Sequence, residues 1–376
     1  MRRSSTGTLC AVVITALNVS SAAAQQVATC MGQEATIVGT DGPDEIVGTQ
    51  YSDVIVGLGG DDVITDVSTE WDLVCGDAGD DRISGAGIQA VGGDGSDTFD
   101  SVTEVDYTGA PGPVHVDLAA GVAEGEGTDV FINVAAVAGS AYDDTLLGDE
   151  GPNYLRGGWA DGPGGDDIID GRGGNDAMDA EGGADSLFGG SGDDAVCGLL
   201  GVGEMSGGDG DDHLGLSSTG RSGGAPIDGG EGLDAIYLAS GTVQRCWSAG
   251  TGAASVDLQQ GTITTGLEWG DPSSYALVGV ENVVGSGRAD ILIGDDGPNL
   301  LVGNGKGDII DGGAGDDDLR GRSGPDEIAG GAGSDRLSGH TGYDGLEGGE
   351  GADVASGGRH DDRCDAEETR GCERSL

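Results

Sequence analysis

The chain has 376 residues, of which 80 are glycine, 4% are aromatic and 36% are hydrophobic. So few large apolar side chains exclude a wide globular core and leave only a thin one. The 68 acidic and 16 basic residues give a formal net charge of -52, which makes nucleic acid and anionic membranes poor partners and multivalent cations good ones.

The N-terminus has the features of an export signal. Arg2 and Arg3 precede an apolar run over residues 9–17, and residues 22–24 are small alanines of the kind that a signal peptidase accepts. We therefore expect residues 1–24 to be a cleaved signal peptide. The mature protein is expected to be secreted and extracellular, with no membrane span.

Cysteine usage agrees with export. Of the 7 cysteines, Cys10 lies in the predicted signal, and the even number that remains favours disulfides. Six cysteines permit about 15 pairings, so the connectivity stays open. Proximity in the sequence suggests Cys30 with Cys75, Cys197 with Cys246, and Cys364 with Cys372.

A nine-residue unit fills most of the remaining chain, in three blocks. The first block spans residues 25–100 and contains GTDGPDEIV, GTQYSDVIV and GLGGDDVIT, read from Gly39. The second spans 139–237, and the third spans 285–365, where the nine-residue register never slips. Most units have an acidic residue at position six and an apolar residue at position eight, and glycines recur at positions one, two and four. A C-terminal tail, 366–376, follows.

Two stretches without the unit separate the blocks, residues 101–138 and 238–284. They resemble each other, because GPVHVDLAAG around Asp117 aligns with AASVDLQQG around Asp257. Alternating apolar residues at 114–118 and at Val256, Leu258 and Ile263 predict short strands. We interpret these inserts as β-rich coils that continue the surrounding architecture.

The unit itself predicts a solenoid. Glycines permit a tight turn over the first six residues, and the last three residues form a short strand with one side chain pointing inward. Two units make one flat coil, and stacking of coils at about 4.8 Å buries a ladder of Leu, Ile and Val. The predicted fold class is therefore all-β, a parallel β-roll or β-helix solenoid with β-rich inserts.

Stacking also places position-six carboxylates from units two apart above one another. Calcium fits such a row, because it takes about six to eight oxygen ligands and accepts the carbonyls that glycine turns expose. We expect multiple Ca²⁺ ions and no other cofactor. The predicted metal ligands are Asp44, Asp53, Asp62, Asp81, Asp97, Asp144, Asp167, Asp176, Asp185, Asp194, Asp212, Asp234, Asp290, Asp308, Asp317, Asp326, Asp335, Asp344, Asp353 and Asp362.

These units resemble the repeats-in-toxin (RTX), or haemolysin-type, calcium-binding nonapeptide GGxGxDxUx. The resemblance covers residues 39–100, 139–237 and 285–365, and it implies a parallel β-roll with calcium held between turns by the position-six aspartate and loop carbonyls. Asn153, Asn299 and Gly203 depart from the pattern at position six. We expect weak or absent metal sites there.

Patterns that would indicate catalysis are weak. GRSGG at 220–224, with Ser222 central, matches the string of a hydrolase nucleophile elbow but lacks the strand and helix that the elbow requires. The four histidines lie singly, and His340 and His360 are expected to be solvated turn residues. In paired acids such as Asp316 and Asp317, the first is expected to face solvent.

The predicted function is a secreted calcium-binding β-roll that folds on binding extracellular calcium. Its role is expected to be structural, adhesive or surface-interacting, with cell-surface or extracellular polysaccharide or protein as further partners and no nucleic acid. The alternative is a secreted hydrolase or polysaccharide-modifying enzyme with activity in the inserts, although we expect no enzyme. A third reading, binding of ice or polysaccharide by a flat face, needs a row of Thr or Asn that stops after Thr49.

Overall fold

The computed structural model describes residues 27–67, 70–158, 164–198, 203–216, 225–238, 252–266, 272–372 and 374–375. Over these residues the chain is all-β, without a helix, and it winds into a parallel β-solenoid. The predicted fold class is confirmed. None of the described residues forms a helix that is long and apolar enough to cross a membrane.

The described residues form 40 strands. The first are β1 Thr29–Cys30, β2 Gln33–Glu34, β3 Ile37–Val38, β4 Glu45–Val47, β5 Val54–Val56, β6 Val63–Thr65, β7 Asp72–Ala78, β8 Arg82–Ser84, β9 Ile88–Asp94, β10 Thr98–Asp100, β11 Glu104–Asp106, β12 His115–Asp117, β13 Val122–Glu124, β14 Thr128–Ile132 and β15 Ala136–Ala138. The middle strands are β16 Thr145–Leu147, β17 Tyr154–Arg156, β18 Ile168–Asp170, β19 Ala177–Asp179, β20 Ser186–Ser191, β21 Ala195–Gly198, β22 Glu204–Asp209, β23 His213–Leu216, β24 Ile227–Glu231, β25 Ala235–Tyr237, β26 Ser255–Asp257, β27 Thr262–Thr265 and β28 Ser273–Val278. The last are β29 Asn282–Val284, β30 Ile291–Ile293, β31 Leu300–Gly305, β32 Ile309–Ala314, β33 Asp318–Ser323, β34 Glu327–Ala332, β35 Arg336–Thr341, β36 Gly345–Glu350, β37 Val354–Arg359, β38 Arg363–Asp365, β39 Glu368–Arg370 and β40 Arg374–Ser375.

Two long sheets face each other across the core. Sheet 2 is parallel throughout and runs from β3 through β5, β7, β9, β11 and β15, then along the odd-numbered strands to β25, and from β29 to β39. Sheet 1 holds β4, β6, β8 and β10, and later the even-numbered strands from β16 to β24 and from β30 to β40. A short antiparallel pair, β1 and β2, precedes both sheets.

The inserts continue sheet 1 with antiparallel strands. In the first insert, β14 pairs in parallel with β10, β13 and β12 follow in antiparallel, and β12 pairs in parallel with β16. The second insert repeats this order with β28, β27 and β26 between β24 and β30. The prediction of β-rich coils that continue the solenoid is therefore confirmed for the described residues.

The core is a ladder of position-eight side chains. In sheet 1, Leu292 lies beside Ile310, and Ile310 beside Ile328; in sheet 2, Leu301 lies beside Leu319. All five side chains are buried. Full burial of such a side chain contributes about 1.5–3 kcal/mol, so a coil becomes stable only when neighbours cover its apolar residue.

Disulfides lie near both ends of the solenoid. Cys30 is bonded to Cys75, and Cys364 is bonded to Cys372, as their proximity in the sequence suggested. Cys197 is also disulfide-bonded. Its suggested partner, Cys246, lies outside the described residues, as do the predicted signal peptide and Ser222, so those three expectations stay predictions.

Candidate metal centre

The position-six carboxylates form two rows, one along each edge of the solenoid. Row A lies on the turns that enter sheet 1, and row B lies on the turns that enter sheet 2. Row A holds Asp44, Asp62, Asp81, Asp97, Asp144, Asp167, Asp185, Asp290, Asp308, Asp326, Asp344 and Asp362. Row B holds Asp53, Asp176, Asp194, Asp212, Asp234, Asp317, Asp335 and Asp353.

One oxygen of each stacked carboxylate links neighbouring coils. The backbone N–H of Asp308 donates to Oδ1 of Asp326 at 2.9 Å, and the backbone N–H of Asp317 donates to Oδ1 of Asp335 at 3.0 Å. Partners in these regular stretches are 18 residues apart, which is one coil of two units. The carboxylate row is thus built into the backbone hydrogen bonding of the turns.

The second oxygen, Oδ2, is buried without a hydrogen-bond donor in most of these residues. Such an acceptor has lost its water and gained no partner, which costs roughly 1–3 kcal/mol or more for a charged group. A cation is the partner that restores the balance. Within the described part of the chain, the residues concerned are Asp62, Asp81, Asp97, Asp176, Asp185, Asp194, Asp212, Asp234, Asp308, Asp317, Asp326, Asp335, Asp344, Asp353 and Asp362.

Position-one glycines leave the space beside these oxygens open. A Cβ added to Gly312 would lie 2.4 Å from Oδ2 of Asp317 and 2.5 Å from the carbonyl oxygen of Gly330. The same space at Gly330 is bounded by Oδ2 of Asp335 at 2.4 Å and the carbonyl oxygen of Gly348 at 2.3 Å. A pocket lined by carboxylate and carbonyl oxygens matches the donor set that calcium prefers.

Burial makes these carboxylates hold protons when no cation is near. It raises the pKa of Asp97 and of Asp167 to about 8, with further contributions from neighbouring aspartates. It raises the pKa of Asp194, Asp212 and Asp308 to about 7 for the same reasons. A divalent cation at Oδ2 would favour the ionised form, so calcium and protons compete for these oxygens.

Four predicted ligands at the starts of blocks differ from the rest. Their units have Thr or Ser at position two, and the backbone N–H of that residue donates to Oδ2, which is the oxygen left without a donor elsewhere. The pairs are Thr40 with Asp44, Thr49 with Asp53, Ser140 with Asp144, and Ser286 with Asp290, at 2.5–2.6 Å. These carboxylates therefore cap their own turns.

Asn153 and Asn299 occupy the same capping position at the starts of two row B stretches. Oδ1 of Asn153 accepts from the backbone N–H of Asp149 at 2.8 Å, and Oδ1 of Asn299 accepts from that of Asp295 at 2.9 Å. Nδ2 of Asn299 donates to the carbonyl of Glu281 at 2.8 Å. An amide suits a cap because the site supplies both a donor and an acceptor.

Four acidic residues that the repeat register missed extend the rows. Oδ1 of Asp72 accepts the backbone N–H of Asp53 at 2.5 Å, and Oδ1 of Asp129 accepts that of Asp97 at 2.9 Å. Oε2 of Glu281 and of Glu367 play the same role for Asp234 and Asp353, both at 2.9 Å. The sequence offered one signal for these extra row carboxylates, which is an acid two residues before an inward apolar residue. Asp72 precedes Val74 in this way, and Asp129 precedes Phe131.

One acidic cluster lies outside the regular pattern. Carboxylate oxygens of Asp53, Asp66 and Asp72 lie within 4.8 Å of one another, and all three residues are buried. Asp66 stands at position one, where most other units have glycine, and a Cβ on Gly48 would lie 2.1 Å from its Oδ1. Gly203, which stands at position six of its unit, leaves row A without a carboxylate at that coil. Its backbone N–H donates to the carbonyl of Asp185 at 2.8 Å.

The turn residues expected to face solvent do so. Asp316 is exposed while Asp317 is buried, and His340 and His360 are exposed. Parallel coils with a row of buried carboxylates on each edge define a repetitive cation-binding β-solenoid.

A family model described as the RTX calcium-binding nonapeptide repeat (4 copies) matches residues 38–65, 138–161, 161–196, 284–319, 311–346 and 344–368. The chain therefore carries RTX calcium-binding nonapeptide repeats, and these repeats support a calcium-binding β-roll protein. No curated protein matches the chain.

Proposed function

We propose that this chain is a secreted β-roll that folds when extracellular calcium fills its turns and then serves as a structural, adhesive or surface-interaction module. The observation that carries this proposal is the series of buried Oδ2 atoms without donors along both rows. Because coils stack only if these charges are neutralised, the folded state depends on the cation.

The two oxygens of each row carboxylate have different roles. Oδ1 of most row aspartates accepts a backbone N–H from the preceding coil, which fixes the spacing of turns, as Asp335 does for Asp317. Oδ2 and the position-one carbonyls, such as that of Gly330, would hold calcium. The bound ion supplies positive charge between carboxylates, and the apolar ladder then closes beneath it.

Export is supported by two features. Arg2 and Arg3 with the apolar run over residues 9–17 have the pattern of a secretory signal. The disulfides Cys30–Cys75 and Cys364–Cys372 suit an oxidising compartment. Millimolar calcium outside cells would fill even weak sites, whereas a calcium-free chain with a net charge of -52 would stay expanded during export.

The proposal includes no catalytic step. In the described part of the first insert, the strands β12, β13 and β14 complete sheet 1. His115 lies on β12 with an exposed side chain. Activity in the inserts remains the alternative, and no arrangement among the described residues favours it.

The decisive experiment is a calcium titration of the mature chain followed by far-ultraviolet circular dichroism. We expect β-sheet signal and a cooperative thermal transition to appear with calcium and to disappear on chelation, with magnesium far less effective because it keeps its waters. Equal β-sheet content and equal melting temperature in chelator and in calcium would show that the cation does not hold the fold.

A further inference from the structure

The two edges of the second block differ in their acidic residues. Along row B the position-six acids follow one another without a gap, at Asp176, Asp194, Asp212 and Asp234. Along row A the segment that joins β21 to β22, residues 199–203, contains no acidic residue, and neither does the segment that joins β23 to β24, residues 217–226. Four consecutive turns of row B therefore carry a carboxylate, whereas row A has no member between Asp185 and Asp290.

The turns of row A are linked differently where the acids are missing. In a regular turn the backbone N–H at position six donates to Oδ1 of the carboxylate in the next coil, as that of Asp176 does to Asp194 at 2.8 Å. The backbone N–H of Gly203 donates instead to the carbonyl of Asp185, and that of Ala225 donates to the carbonyl of Gly203, both at 2.8 Å. These links join neutral groups, so the coils stack on this edge without a charge that a cation must neutralise.

Asp185 lies at the boundary, and its turn lacks the space for an ion. Its unit, AEGGADSLF, has Ala180 at position one, and Ala180 is fully buried. The carbonyl of Ala180 has the place of the other position-one carbonyls, since a Cβ added to Gly157 would lie 2.6 Å from it. The methyl group of Ala180 therefore points where glycine leaves the metal pocket open in other turns. Asp185 is thus the exception among the carboxylates whose Oδ2 has no donor, because no ion fits beside it.

The corresponding space is open along row B of the same coils. A Cβ added to Gly189 would lie 2.5 Å from Oδ2 of Asp194, and the carbonyl of Gly207 bounds the space on the side of the next coil. Within the described ranges, Oδ2 finds no donor in any of the four row B acids of this block, and all four residues are buried. The oxygen donors that suit calcium are therefore present on one edge of these coils and missing on the other.

We propose that calcium loads this part of the second block on one edge only. Row B takes the ion at its four acids, whereas row A holds no cation over the turns of Asp185, Gly203 and Ala225. The third block differs, because both of its edges depend on the ion. Among the residues that the structure describes, Oδ2 lacks a donor in Asp308 on row A and in Asp317 on row B.

Loading on one edge predicts a graded response of the solenoid to calcium. When the ion is withdrawn, carboxylate repulsion returns on row B of these coils, while row A stays stacked through neutral groups. The stretch should therefore keep part of its β-sheet when the third block has lost it. The inference deepens the proposed function and rests on it, because it states which turns calcium reaches.

Two matched variants of the mature chain test the inference, Asp185→Asn and Asp194→Asn. Each amide keeps an oxygen for the backbone N–H that the carboxylate accepts, from Asp167 at 2.9 Å and from Asp176 at 2.8 Å. Each variant removes the charge of a buried Oδ2 in the same block, but on opposite edges. Calcium binding is measured by isothermal titration calorimetry, and the melting temperature is measured by circular dichroism in saturating calcium.

We expect Asp194→Asn to weaken one calcium site about 10- to 100-fold and to lower the melting temperature. Asp185→Asn should leave the calcium titration unchanged and melt at or above the native temperature, because it removes a buried charge that no cation offsets. Weaker calcium binding in Asp185→Asn, or unchanged binding in Asp194→Asn, would overturn the inference. A native chain whose β-sheet signal ignores calcium would refute the proposed function instead, which is a separate result.

Discussion

Replacement of Asp317 by asparagine separates the two roles of a row carboxylate. The variant keeps an oxygen for the backbone N–H of Asn299, which donates to Oδ1 at 2.8 Å, but it replaces the buried Oδ2 with an uncharged amide nitrogen. Loss of one anionic ligand should weaken the local calcium site about 10- to 100-fold, or about 1.4–2.8 kcal/mol. The chelated form should gain stability instead, because burial opposes the charge that the variant removes.

The assay is far-ultraviolet circular dichroism of native and Asp317→Asn chains, as thermal unfolding in saturating calcium and as residual β-sheet signal in chelator. We expect a lower melting temperature in calcium and a larger residual signal in chelator, so the two effects have opposite signs. Asp44→Asn is the matched control, because Oδ2 of Asp44 accepts the backbone N–H of Thr40 at 2.6 Å and an amide oxygen can replace it. A decrease in both quantities would refute the reasoning, since it would indicate lost packing alone.

Three further predictions follow from the same geometry. Asn299→Asp should lower the melting temperature in calcium by an amount equivalent to roughly 1–3 kcal/mol, because it directs an anion at the carbonyl of Glu281; a new calcium site in titration calorimetry would contradict this. Gly312→Ala should weaken binding at Asp317 in the same titration, since its Cβ would fill the pocket, and unchanged stoichiometry would count against that view. In chelator, the β-sheet signal should increase as the pH falls from about 8 to 5. Burial raises pKa values such as that of Asp167, to about 8, so the folded state binds more protons than the unfolded state. Loss of β-sheet signal over this pH range would contradict the prediction.

The fold was predictable because one pattern repeats. Position eight fixes the inward residue, so Leu319 and Leu337 had to stack once the coil was taken as two units. The same periodicity placed Asp317 and Asp335 on one edge. Inserts were harder, because their antiparallel order depends on pairing across tens of residues, as between β10 and β14.

The division of carboxylates into ligands and caps could not be predicted from position six alone. Asp290 and Asp308 look alike in the sequence, yet Oδ2 of Asp290 accepts the backbone N–H of Ser286 while Oδ2 of Asp308 has no donor. The difference depends on the first coil of each block, where the turn donates to its own carboxylate. Serine or threonine at position two distinguishes the units whose carboxylate caps its own turn. Asn299 shows that a capping residue at position six does not need a charge.

The disulfides at the two ends of the solenoid determine the order in which its coils would unfold. Cys30–Cys75 spans the opening coils and Cys364–Cys372 closes the final one, so neither extremity is free to peel away. Withdrawal of the cation should therefore loosen the interior of the filament before its tips, the reverse of the fraying typical of solenoids. Hydrogen exchange resolved along the chain would then be fastest in coils between the bonded Cys197 and Cys364, such as residues 291–341, and each clamped tip would persist as a template for rewinding when the ion returns.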